Sequence, residues 1–233
     1  RKNLMTEKKI IIALDFDSYD KAILMTKKLD PTLCNLKVGS QLFTSAGPKI
    51  IERISKMGFD IFLDLKFHDI PNTVSESVKV ASSLGVWMLN VHTSGGSKMM
   101  KAAKLAALEA TRAPLIIGVT ILTSLKEEDI NEVGIAGMNN QVKTLSSLAK
   151  ESSLDGIVCS AREVKDVKSS LGKDFLTVTP GIRASGQAEG DQYRVTSAKQ
   201  AIVNGSDFLV IGRPITQSPD PLKSLENFIR EIS

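Results

Sequence analysis

The chain has 233 residues, 42% apolar and 24% charged, the profile of a globular protein with length enough to bury a full core. Thirty basic residues against 26 acidic leave a net charge of +4 with no run of five like charges, so neither a nucleic-acid-binding stripe nor an acidic tail is indicated. No apolar stretch approaches the ~20 residues a membrane helix needs, and Cys34 and Cys159 are too few for a disulfide scaffold and lack metal-site spacing.

In chain order, the opening "RKNLMTEKK" is charged and has no hydrophobic region behind it. Residues 1–8 therefore read as a frayed tail or an expression remnant rather than a signal peptide, and residues 9–233 as one domain. The expected compartment is the cytoplasm, with both cysteines as buried free thiols. Eight short β-rich runs follow: "KIIIALDF" (9–16), "NLKVGS" (35–40), "DIFLDLKF" (60–67), "VWMLNVHT" (86–93), "PLIIGVTIL" (114–122), "LDGIVCSA" (154–161), "FLTVTPGI" (175–182) and "DFLVIGRP" (207–214). Most are near-continuously apolar, as strands covered on both faces should be. Between them lie segments of helical periodicity, such as "KAILMTKKL" and "KMMKAAKLAALEA". Gly58, Gly85, Gly172 and Gly205 fall where helices should stop before the next strand.

Eight strand–helix units with right-handed crossovers give a parallel sheet, and closing it gives an α/β fold of the (β/α)8 (TIM) barrel type as a single domain. An open doubly wound sheet would want a glycine fingerprint after the first strand, and "LDFDSYD" has none. Two strand-to-helix connections are long, about 123–140 and 183–194, and are candidate lids.

Functional side chains of such barrels come from the C-terminal ends of the strands. There the sequence places Asp15 and Asp17, Lys37, Asp64 and Lys66, Thr123 and Ser124, Arg183, then Gly212 and Arg213. Strand alternation predicts that Asp64 and Lys66 face the interior while Leu65 and Phe67 face the helices, with Asp69 just beyond on the loop. A lysine in that interior needs a partner, and flanking carboxylates favour its charged form. A Schiff-base lysine must be neutral; Lys66 is better suited to donating a proton or stabilising a carbanion, the alternative being a plain buried salt-bridge cluster. Gly212 and Arg213 in "VIGRPI", with Arg183 in "TPGIR", suit a phosphate site in which Gly212 admits the oxyanion to the backbone and Arg213 clamps it; solvated loop arginines are the alternative. Asp15 either belongs to the site or caps the next helix, and Asp17 and Ser18 read as caps. Lys37, inside a buried strand, is hard to explain as a solvated charge. His68 and His92 read as structural or supporting groups, and Trp87, Met99 and Met100 as packing.

The stretch "DLKFHDIPNTV" (64–74) resembles the signature of the orotidine 5′-phosphate decarboxylase family, D-x-K-x-x-D followed by I-P-N-T. "ALDF", "LKVG", "TPGIR", a D-Q pair before the next helix and "IGRPI" are similar to that family's blocks, in the same order, from about residue 10 to 230. The D-x-K-x-x-D core is shared with sister enzymes of the superfamily; the I-P-N-T continuation and the phosphate blocks make the match specific. The resemblance implies conversion of orotidine 5′-monophosphate to uridine 5′-monophosphate and CO2, late in pyrimidine synthesis, with no metal and no organic cofactor. It implies Lys66 as the acid at C6 of the pyrimidine, held by Asp64 beside the departing carboxylate. Asp69 and Thr73 would come from the partner subunit of a homodimer with shared sites. Asp15 and Lys37 would bind ribose hydroxyls, Lys37 also completing the charged chain beside Asp64. Thr123 and Ser124 would lie near the pyrimidine edge, and Pro180 would border the carboxylate pocket. Arg183, Gln192, Gly212 and Arg213 would grip phosphate, Gln192 from the closing loop. The competing readings are a Mg²⁺-dependent sugar-phosphate lyase or synthase of the same superfamily and a non-catalytic phosphate-binding barrel.

Overall fold

The computed structural model describes residues 8–183 and 196–233. Each apolar run supplies one strand: β1 (Ile10–Ala13), β2 (Asn35–Gly39), β3 (Ile61–Phe67), β4 (Met88–His92), β5 (Leu115–Val119), β6 (Gly156–Val158), β7 (Leu176–Thr179) and β8 (Phe208–Ile211). They pair in parallel in the order β1-β8-β7-β6-β5-β4-β3-β2, and the ring closes through β1 and β2. The chain is therefore the expected (β/α)8 barrel. Most strands are shorter than the runs that announced them, while β3 reaches the end of its run at Phe67. Beyond β7, Ile182–Arg183 form a two-residue parallel pair with Thr196–Ser197.

The described helices are α1 (Tyr19–Thr26), α2 (Ser40–Ala46), α3 (Lys49–Ser55), α4 (Pro71–Ser83), α5 (Gly96–Leu108), α6 (Glu127–Glu132), α7 (Met138–Glu151), α8 (Val164–Leu171), α9 (Ala198–Val203), α10 (Arg213–Thr216) and α11 (Pro221–Ile232). Ser18 caps α1 by accepting a hydrogen bond from the Lys21 amide. Asp17 instead pairs with the Lys21 ammonium at 2.9 Å. The four glycines expected to end helices all take positive φ, from 76° to 101°, a region that costs other residues strain. The connection over 123–140 is not an open loop: α6 occupies its middle. Three acids in the first turn of α6, Glu127, Glu128 and Asp129, suit the positive end of a helix. Asp129 accepts from the Lys126 amide at 2.7 Å and Glu127 from the Met138 amide at 3.1 Å. Most of the second long connection lies outside the described residues.

Side-chain alternation divides the core. In β1, Ile10 and Ile12 pack outward against helices while Ile11 points inward. Ile11 joins Phe62, Met88, Ile117, Val178 and Phe208 inside the barrel, and Trp87 packs edge-on to Phe208 at 5.1 Å. Each such side chain, fully buried, is worth about 1.5–3 kcal/mol. This layer plugs the barrel and forces any ligand to the mouth. At the opposite, N-terminal rim, Asp60, Asp155 and Asp207 each stand just before a strand and hold a distant lysine: Lys8 at 3.1 Å, Lys104 at 2.6 Å and Lys168 at 2.6 Å. Asp155 also accepts the Ile116 amide at 2.8 Å, and Asp207 the Thr177 amide at 2.7 Å, so carboxylates help set the register of β5 with β6 and of β7 with β8. Among the described residues no helix is long and apolar enough to cross a membrane.

Strands β6 and β7 approach so closely at Gly156 that a Cβ there would lie 2.2 Å from the Leu176 carbonyl oxygen. Backbone cannot yield as a flexible side chain can. We expect Gly156→Ala to destabilise the fold by about 2 kcal/mol, lowering the thermal midpoint by roughly 4–8 °C; an unchanged melting curve by circular dichroism would contradict it.

Candidate active site

Above the apolar plug, the strand ends surround a cavity of about 530 Å³. The same alternation that buries Ile11 and Phe62 brings the next inward residues, Ala13 then Asp15 on one strand and Asp64 on another, into its wall. Of the residues singled out in the sequence, Asp15, Lys37, Asp64, Lys66, Thr123, Ser124, Pro180, Arg183, Gly212 and Arg213 all line it. Asp69 and Thr73 do not: both are exposed, on the loop after β3 and the first turn of α4, and Asp69 accepts the amide of Ile70 at 2.6 Å. Gln192 lies outside the described residues.

Four of the charges form a continuous chain. The Lys37 ammonium is 3.1 Å from Asp15 Oδ1 and 3.1 Å from Asp64 Oδ2, and the Lys66 ammonium is 2.7 Å from Asp64 Oδ1. The cation held between two carboxylates within the single chain is Lys37, not Lys66, which pairs with Asp64 alone; Asp69 makes no described ion pair with it. Lys37 is 8% exposed, so its charge depends chiefly on these partners. The Lys66 side chain keeps a third of its surface open toward the mouth.

The path of β3 also departs from simple alternation. Leu63 pairs with Leu89 and Phe67 with Val91, so Asp64, Leu65 and Lys66 all stand opposite the single residue Asn90. Lys66 itself takes φ 52°, in the left-handed region that side chains usually avoid. Asp64 and Lys66 do meet, but through a bulge and not as next-but-one neighbours of a flat strand.

Electrostatics follow from this geometry. Burial would push the Asp64 carboxyl up, but the charges of Lys37 and Lys66 and hydrogen bonds from Lys66 and Asn90 outweigh it and hold the group at about 2. Burial likewise works against the charge on Lys37, and Asp64 and Asp15 more than reverse it, so its pKa is raised. His92 is lowered, first by burial and then by the nearby His68 and Lys66; the two imidazoles lie 5.4 Å apart. Burial lifts the Cys34 thiol to about 12, which makes it an unreactive packing group.

Asn90 was missed by sequence reasoning. It is fully buried in β4, donates to Asp64 Oδ1 at 2.7 Å and accepts the Lys66 amide at 2.8 Å. The available signal was a polar residue in the apolar run "VWMLNVHT". Gln217, which also lines the cavity at the end of α10, carried no such signal.

Arg183 stands across the mouth from Lys66, and Arg213 follows the strand beside β1. In the ring of eight strands β7 is four places from β3, and Arg183 follows β7 while Arg213 follows β8. Arg183 donates to the Ile182 carbonyl at 2.9 Å. A side chain on Gly212 would point at Ala13 and Asp15, so glycine keeps the backbone bare on the cavity side. Among the described residues, no three His, Cys, Asp or Glu side chains are grouped to hold a metal ion.

Fold and cavity together define a class, a (β/α)8-barrel enzyme whose ionised side chains are gathered at the C-terminal mouth. The profile of the orotidine 5′-phosphate decarboxylase / HUMPS family matches residues 8–228, and the chain belongs to that family. It is 53% identical to the orotidine 5′-phosphate decarboxylase of Saccharophagus degradans, over 96% of this chain and 94% of that protein. It is 52% identical to that of Nitrosomonas eutropha, over 98% of each. Among solved structures, the orotidine 5′-phosphate decarboxylase of Lactobacillus acidophilus superposes with a TM-score of 0.88 at 38% identity, covering 97% of this chain and all of that one.

The low Asp64 value has a consequence for stability. The folded value lies below the ordinary 3.8, so ionised Asp64 favours the fold above that pH, and the contribution is lost as pH falls toward 2. It is on the order of 2 kcal/mol. We expect urea denaturation to show the stability gap between wild type and Asp64→Asn narrowing between pH 4 and pH 2; a constant gap would contradict the pairing.

Proposed function

We propose that this chain decarboxylates orotidine 5′-monophosphate to uridine 5′-monophosphate and CO2 in the cytoplasmic synthesis of pyrimidines. The observation that carries the reading is the unbroken contact chain Asp15–Lys37–Asp64–Lys66 at the mouth of a family barrel, ending in an ammonium that stays partly open to the cavity.

The chemistry explains why fixed charge is wanted. Breaking the bond from C6 to its carboxylate releases CO2 and leaves the electron pair in an sp² orbital in the ring plane, where the π system cannot delocalise it. Stabilisation then falls to preorganised charge aimed at C6. Lys66 supplies it, then passes one proton to C6 to form the new C–H bond, and regains a proton from solvent. Asp64 keeps the ammonium in place and, ionised at neutral pH, stands beside the departing carboxylate. Lys37, tied to both Asp15 and Asp64, offers the ribose hydroxyls a donor beside an acceptor. Thr123, Ser124 and Pro180 border the pyrimidine. Arg183, Gly212 and Arg213 take the phosphate, and Gln192, outside the described residues, is assigned to the same group. Phosphate binding far from C6 orients the ring, so remote contacts contribute to the reacting geometry.

Asp69 and Thr73, exposed in the single chain, suit a role in a second subunit's site, which makes the working form a homodimer. Ile70 between them is 66% exposed, an apolar side chain suited to such an interface.

Orotidine monophosphate absorbance followed with EDTA present tests the reaction and separates it from a Mg²⁺-dependent lyase. We expect steady turnover by wild type, none by Lys66→Ala, and retained nucleotide binding by that variant; Lys66→Ala activity within about tenfold of wild type (~1.4 kcal/mol) would defeat the assignment. Sharing of the site is tested by mixing Lys66→Ala with Asp69→Ala chains after dissociation. A mixed dimer then holds one site with both native groups and recovers activity; continued inactivity would mean that each chain uses its own Asp69.

A further inference from the structure

We infer that Asn90 is a positioning residue for Lys66, holding at once the backbone that aims the ammonium and the carboxylate that anchors it. The inference rests on the reading that Lys66 works at C6.

The bulge in β3 removes Asp64, Leu65 and Lys66 from regular pairing with β4, and the Lys66 amide loses its strand partner. The side-chain carbonyl of Asn90 takes that amide at 2.8 Å, while its NH2 donates to Asp64 Oδ1 at 2.7 Å. Asp64 Oδ1 is also the atom that receives the Lys66 ammonium at 2.7 Å. A closed circuit results: one amide binds the lysine's main chain, and the same amide binds the carboxylate that binds the lysine's tip. A left-handed φ at a residue with a side chain persists only where its surroundings over-determine it, and this circuit does so at Lys66. Asn90 itself is anchored from the other side, since β4 keeps regular pairing with β5 through Ile117. Its amide donates from one atom and accepts at another, both without charge. A leucine would satisfy neither partner, and an aspartate would satisfy one and repel the other.

The test compares wild type, Asn90→Ala and Asn90→Asp in turnover of orotidine monophosphate, in calorimetric binding of uridine 5′-monophosphate, and in thermal melting. Asn90→Ala releases both partners, so kcat falls by about 100-fold through misplacement of the ammonium while the Kd for uridine monophosphate stays within about threefold. Asn90→Asp keeps the acceptor for the Lys66 amide but sets a second carboxylate against Asp64. The two then share a proton, and the acid limb of kcat moves up by about one pH unit or more. Loss of packing alone would leave that limb where it is. A folded Asn90→Ala with kcat within about threefold of wild type overturns the inference. So does Asn90→Asp with the wild-type pH profile, which decides the matter if Asn90→Ala fails to fold. If neither variant folds, Asn90 is a folding residue and the inference falls. Wild type that binds nucleotide but releases no CO2 sinks the functional reading instead, a result that no Asn90 variant can imitate.

Discussion

The site is organised around one carboxylate. Asp64 receives Lys37 on one oxygen and both Lys66 and Asn90 on the other. Buried as it is, it stays ionised because these three groups surround it, and together with Asp15 it keeps the buried Lys37 charged. The group sits on a strand whose preceding inward residue, Phe62, belongs to the apolar plug. The charged layer therefore rests on a rigid floor, and its geometry is inherited from barrel closure.

The barrel separates two kinds of polar work. At the N-terminal rim, aspartates hold lysines and strand amides, and those contacts concern register alone. At the C-terminal mouth, the same residue types converge on an open cavity. Lysine–aspartate pairs occur at both ends with similar distances. What distinguishes them is whether the pair faces a space that a ligand can fill.

Much of this was legible in the sequence because it was local. Runs such as "KIIIALDF" announce a strand without reference to anything distant, and glycines such as Gly58 mark stops through their own backbone freedom. Asp15, Lys37 and Asp64 stood out because charges inside apolar strands demand an explanation. What escaped was non-local or broke a period. The bulge at Lys66 cannot be read from alternation, because alternation assumes that both strands advance together, and β3 and β4 do not. Asn90, uncharged and mid-strand, has meaning only once its neighbours across the sheet are known. Lys104 and Asp155 are 51 residues apart and meet only through the closed ring. Asp69 and Thr73 remain on the surface of one chain, so their part in a site is a question about a second copy.

The alternating chain at the mouth has two ammonium groups and two carboxylates, and they sum to zero. An anion approaching from solvent would thus feel little net pull from this cluster. A neutral cluster acts only at contact distance, through the order of its signs. Discrimination by such a cluster is a matter of fit rather than of field, and dissolved salt would barely touch it.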